Sequence, residues 1–202
     1  MGKIKCKPQL NTIFSLAMVV FLFLVLSLRF DFYYDLNDDV LIKDIVSGAY
    51  TGTPDAHSIQ MLYPLSLLIS LLYRIVPVVP WQGIFLCACH GVCFFLIAKR
   101  SLSFVEKEVN KTILLLTEAI LIMTLFLYEA VFVQYTVTAA LLAASACFLV
   151  FTSEKIDGLG AFLKEQAVAI VLVILAFNLR SEMLLLMSPF IAFTGIVKWS
   201  LE

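Results

Sequence analysis

Asp38 and Asp39 are adjacent carboxylates in residues 31–61, a polar stretch that also holds Asp31, Asp35, Asp44, Asp55 and His57. Six of the chain's fifteen acidic residues therefore fall in one segment flanked by apolar ones. A carboxylate at the start of a helix is favoured in its ionised form by the helix dipole. In that form it can accept a hydroxyl proton or bind a divalent cation. The competing reading of the pair is a plain helix N-cap beside a solvated acid. The complementary chemistry comes from Arg74 and Arg180, since a guanidinium fork holds phosphate oxygens bidentately. An anionic lipid headgroup satisfies such an arginine equally well, and Glu182 could pair with Arg180 and make both structural. Tyr128-Glu129 and Gln134-Tyr135 flank a further short polar turn.

Two other features invite chemistry. The run Cys87-Ala88-Cys89-His90-Gly91-Val92-Cys93 suggests a metal, but its spacing matches neither a CxxC pair nor a CxxCH haem attachment. Small residues at helical spacing explain it as a surface for close helix packing in lipid, so no metal site is assigned. Glu118 lies inside an apolar stretch, where an ionisable group is costly and often functional. The simpler reading is snorkelling, or a hydrogen bond to Thr117 or Thr124.

The elements that must position these groups are apolar helices. Apolar stretches run over 11–30, 82–98, 112–128, 131–151, 165–179 and 183–198, with 62–78 a weaker seventh that carries Pro64, Arg74 and Pro77. Lys and Arg near span ends favour the cytoplasm, which arbitrates between topologies. With 62–78 not crossing and the N-terminus inside, ten of fourteen basic residues lie inside: Lys3, Lys5, Lys7, Lys99, Arg100, Lys107, Lys111, Lys155, Lys164 and Lys198. With 62–78 crossing, five of fourteen do. The expectation is an all-α polytopic transmembrane bundle of about six spans. Residues 1–30 form an uncleaved signal anchor and first span, 31–81 an extracytoplasmic loop with membrane-surface helices, and 82–202 the other five spans of a single domain. Asn37 or Asp38 would cap a helix over 39–47 with Val40, Leu41, Ile45 and Val46 as its apolar stripe, Gly48 its stop, and Gly52-Thr53-Pro54 a turn.

Composition excludes other classes. Hydrophobic residues make up 62% of the 202 residues and charged residues 14%, with mean hydropathy +1.00 and net charge −1. So few charges cannot cover a water-facing surface, and no basic block tracks a nucleic-acid backbone. No glycine-rich phosphate loop, HExxH or GxSxG occurs. The five cysteines, Cys6, Cys87, Cys89, Cys93 and Cys147, are odd in number and give no disulfide framework.

The order of these motifs resembles the N-terminal module of GT-C glycosyltransferases, membrane enzymes that take sugars from polyprenyl-phosphate carriers. The matching residues are Asn37-Asp38-Asp39-Val40, the turn Gly48-Ala49-Tyr50-Thr51-Gly52 and Leu62-Tyr63-Pro64-Leu65. Gln134-Tyr135-Thr136 and Asn178-Leu179-Arg180-Ser181-Glu182 are similar to segments of small bacterial members. The likeness is best over 31–98. It departs in reading Tyr-Pro-Leu where relatives often have Pro-Pro-Leu, and in having fewer spans, as a fragment, a minimal member or an inactive relative would. The resemblance implies Asp38 or Asp39 as the catalytic acidic residue, deprotonating an acceptor hydroxyl or orienting it through a divalent cation. Arg180 or Arg74 would hold the departing carrier phosphate, with Glu182, Glu129, Tyr135, His57 and Tyr63 as further substrate-binding residues. It implies a bacterial plasma-membrane protein whose partners are membrane lipid and a polyprenyl-phosphate-linked sugar, with no nucleic acid, and with other proteins supplying missing spans. The alternative is a non-catalytic membrane subunit or flippase-like protein that uses the arginines and needs no base. A secondary transporter fragment has only Glu118 in its favour, as no internal repeat is visible.

Overall fold

The computed structural model describes residues 8–153 and 158–201. The basic N-terminal residues Lys3, Lys5 and Lys7, with Cys6, and Lys155 in the later gap lie outside the described residues. The chain is mostly helical. Its helices are α1 (Pro8–Arg29), α2 (Asn37–Ser47), α3 (Tyr63–Ile75), α4 (Trp81–Leu102), α5 (Glu108–Leu125), α6 (Leu127–Val131), α7 (Tyr135–Thr152), α8 (Leu159–Glu165), α9 (Ala167–Leu179) and α10 (Ser181–Leu201). One element departs from the all-α expectation. β1 (Tyr33–Tyr34) and β2 (Phe132–Val133) pair in parallel, Tyr33 opposite Phe132 and Tyr34 opposite Val133. Two-residue strands carry too little periodicity to be read from sequence.

Among the described residues, three helices are long and apolar enough to cross a membrane: Gln9–Arg29, Trp81–Leu102 and Tyr135–Thr152. This supports a membrane protein and corrects the six-span count. A hydrocarbon core about 30 Å thick needs about 20 residues of helix. The 13 residues of α9 rise only about 20 Å, because the helix run breaks at Gln166 between α8 and α9. The 18 residues of α5 carry Glu108, Lys111 and Glu118. α10 has 21 residues and contains Pro189. α3 has 13 residues, again too short to span.

α7 is the centre of the bundle, packing against α9, α4 and α10, while α1 lies on α4. The small residues of α7 allow this, as Ala139, Ala143 and Ala146 are all buried at its contacts. The small residues of α4 do the same toward α1: a Cβ built on Gly91 would meet Phe23 at 3.5 Å and Val19 at 3.7 Å. The cysteine-histidine run takes part in this packing. Cys89 and Cys93 are buried free thiols, and His90 is buried with Nε2 2.9 Å from the Thr138 hydroxyl of α7.

Backbone contacts sort the loops to two ends. The β1–β2 ladder joins the end of α1 to the start of α7, and the Leu62 N–H donates to the Asn178 carbonyl at 2.8 Å, joining the start of α3 to the end of α9. At the opposite end Arg100 of α4 donates to the hydroxyl and carbonyl of Thr152 on α7.

Candidate functional site

The adjacent carboxylates do different things. α2 begins at Asn37, two residues earlier than expected, and Leu36 occupies its N-cap position without a side-chain capping bond. Neither Asn37 nor Asp38 caps it. Asp39 points inward with Ile42, Ile45 and Val46, whereas Val40 is exposed. The buried stripe is thus rotated from the expected one. Asp39 is fully buried, and its Oδ1 accepts the Tyr135 N–H at 2.8 Å. It caps α7, a helix 96 residues further along the chain. Burial pushes its carboxyl up to about 6, although N–H bonds from Tyr135 and Leu36 pull the other way. Its Oδ2 is buried without a hydrogen-bond partner. Asp38, one residue earlier in the first turn of α2, is exposed.

Tyr135 carries the connection onward. It is fully buried, and Arg180 Nη1 donates to its hydroxyl at 3.0 Å and also to the Thr136 hydroxyl. The guanidinium lies over the Tyr135 ring, 5.1 Å from the centroid. Arg180 can reach there because it is the extended residue between α9 and α10. Its Nε is buried with no hydrogen-bond partner, and Glu182 is only at the edge of ion-pair distance, 4.0 Å. Asp38, Asp39 and Arg180 all lie close enough to the Tyr135 hydroxyl to act on it electrostatically.

A second carboxylate group borders the first. Asp35 accepts the Tyr128 hydroxyl at 2.6 Å, and burial, with the Asp35 charge adding to it, pushes the Glu129 carboxyl up from its ordinary value. Glu129 Oε2 is buried and unpartnered. The β1–β2 ladder sets this geometry, with Tyr33 and Tyr128 both stacked on Phe132.

His57, Tyr63 and Arg74 form a separate arrangement. His57 Nδ1 sits 2.9 Å from Asp55 Oδ1, and the imidazole lies 5.1 Å from the Tyr63 ring. Hydrogen bonds from His57 hold the Asp55 carboxyl below its ordinary value. Tyr63 starts α3 beside Asn178, near Arg180 in the chain. Arg74 lies eleven residues further along α3, about 16 Å at the helical rise. It donates to the Pro54 carbonyl at 2.9 Å and pins the loop after α2. The two candidate phosphate-binding arginines are therefore not brought together. Glu118 stands apart on α5, beside Ser101 of α4.

An apolar groove of about 730 Å³ runs between α1 and α4 next to this end. Val19, Phe23, Ser27, Gly83, Cys87 and Gly91 are among its lining residues, with Tyr33, Tyr34 and Val133 at its head. Among the described residues no three His, Cys, Asp or Glu side chains gather in a way that could hold a metal ion.

The sequence singled out Asp39, Tyr135 and Arg180 but not their mutual bonds, and it passed over Asp35 and Tyr34 as site residues. The only available signal for the Asp35–Tyr128 pair was that both flank short polar turns. Comparison with protein families, curated proteins and solved structures finds no match.

Proposed function

We propose that this is a membrane glycosyltransferase-like protein that transfers a sugar from a polyprenyl-phosphate carrier to an extracytoplasmic acceptor. The observation that carries this reading is the meeting of Asp38, Asp39 and Arg180 around Tyr135, across some 140 residues of chain, beside an apolar groove. The roles then divide. Asp38, exposed in the first turn of α2, is the group free to accept the acceptor's proton. Asp39, committed to the N-terminus of α7, is a positioning residue. Arg180, whose Nε makes no hydrogen bond, offers donors to a leaving phosphate, and the α1–α4 groove has the chemistry to take the isoprenoid tail. In this reading the protein is multi-pass in a bacterial plasma membrane, its N-terminus inside and this site outside.

A second reading is supported by the burial and capping role of Asp39. A lipid-phosphate-binding subunit or flippase-like protein would use Arg180 and need no base. Sugar transfer from a polyprenyl-phosphate sugar by the purified protein separates the two, alongside binding of polyprenyl phosphate itself. The enzyme requires that Asp38→Asn abolish transfer while carrier binding persists, and that Arg180→Ala lose both. Wild-type protein that binds the carrier but transfers nothing, with Asp38→Asn binding equally, establishes the non-catalytic alternative. Wild-type protein that does neither refutes both.

A further inference from the structure

The end of the bundle opposite Asp39 carries a second arrangement that the proposed activity does not use. Its starting point is Gln166, which breaks the helix run between α8 and α9 with backbone angles of −88° and 5°. The residue is only 4% exposed, and its amide Nε2 is buried without a hydrogen-bond partner. A buried donor left unmet is costly, so a partner from outside the chain would be favoured there.

Gln166 lines two adjoining cavities. One, of about 270 Å³, sets Lys99, Arg100, Ser103 and Glu165 among the apolar Leu96, Leu149 and Val168. Lys99 is exposed, and Arg100 spends two of its five N–H groups on Thr152. Among the described lining residues, two cations stand against one exposed carboxylate, that of Glu165. The other cavity, of about 360 Å³, is almost wholly apolar. Cys147, Phe162, Ile170, Ile191 and Gly195 of α7, α8, α9 and α10 are among its walls. Gln166 and Ala169 belong to both linings, so the two cavities adjoin at these residues.

We propose that Lys99, Arg100 and Gln166 form a binding site for one anionic phospholipid, with its headgroup phosphate beside Lys99 and Arg100 in the smaller cavity and an acyl chain in the apolar groove between α7, α8, α9 and α10. The charge selects an anion, and the apolar extension selects a lipid over a free phosphate. Basic pockets between apolar helices are the usual chemistry for holding anionic headgroups. The site is independent of Asp38 and Arg180, and its fate says nothing about sugar transfer.

The test is lipid retention by the purified full chain in neutral detergent. Native mass spectrometry would follow titrations with dioleoyl phosphatidylglycerol, dioleoyl phosphatidylcholine and inorganic phosphate. The expected result is one phosphatidylglycerol retained in preference to phosphatidylcholine, with inorganic phosphate a poor competitor. Lys99→Ala should weaken phosphatidylglycerol binding about fivefold, the effect of one basic residue at an anionic headgroup. Gln166→Leu keeps the buried shape and should weaken it by a similar factor. Gly195→Leu should block the chain, because a Cβ at Gly195 meets nothing within 4 Å and a larger side chain would enter the groove. Thermal unfolding of each variant without lipid checks that the fold survives. Equal retention of both lipids overturns the proposal, as does phosphatidylglycerol binding that all three variants keep. Tight inorganic phosphate binding that Gly195→Leu leaves untouched assigns the pocket to a soluble anion and also overturns it.

Discussion

Replacing Asp39 by Asn and by Ala separates a helix cap from a catalytic base. Asn is nearly isosteric and keeps an oxygen to accept the Tyr135 N–H, while removing a charge buried without full compensation. Ala removes the acceptor and strands the N–H of α7. Loss of a cap and of a buried bond costs about 1–3 kcal/mol. For a chain of this size that lowers Tm by roughly 2–10 °C. The pH dependence supplies the magnitude for Asn. The carboxyl is raised from 3.8 to about 6 in the folded protein, chiefly by burial. The folded state therefore binds this proton more tightly than the unfolded chain does. Stability from this group is fully present below about pH 4, declines as pH rises from about 4 to 6, and is lost above 6. At about 1.4 kcal/mol per unit, the ionised carboxylate costs up to about 3 kcal/mol at neutral pH. Asp39→Asn should thus match or exceed the wild-type Tm at pH 7 and flatten the pH 4–6 slope, while Asp39→Ala falls below both. Thermal unfolding in detergent between pH 4 and 8 reads all three. An Asn variant as unstable as Ala at pH 7, or one that keeps the wild-type slope, would refute the assignment of Asp39 as a buried cap.

Other outcomes follow from the same geometry. Gly48→Ala should destabilise by more than the roughly 1 kcal/mol of an ordinary left-handed penalty, read as Tm. Gly48 closes α2 at φ +84°, and an added Cβ would fall 2.5 Å from the Thr53 carbonyl carbon. Arg180→Lys should cost about 1–2 kcal/mol, because a lysine cannot both reach two hydroxyls as a fork and stack on Tyr135; an unchanged Tm would show that the fork carries no stability. The transfer assay with Asp38→Asn, and the lipid-retention assay with Lys99→Ala and Gly195→Leu, test the two ends of the bundle separately.

The amino-acid sequence by itself determined the membrane character and the helical class. Hydropathy and the scarcity of charge are sums over residues, and burial in lipid depends on little else. It also set the stop of α2 at Gly48, since the left-handed turn is a local demand on one residue type. It marked Asp39, Tyr135 and Arg180 as polar residues at the edges of apolar runs. What it could not supply were relations between distant residues. Asp38 and Asp39 are the same residue type in the same turn, and only the position of α7 makes one a buried cap and leaves the other exposed. Arg74 and Arg180 read alike along the chain, but the fold gives one to a loop carbonyl and the other to Tyr135. The span count failed for the same reason. Apolar length does not reveal that α8 and α9 are separate helices on either side of Gln166, because no proline or glycine stands at the break itself. Tertiary contacts of sequence separation near 100 decide which polar groups are spent on structure and which stay free for chemistry.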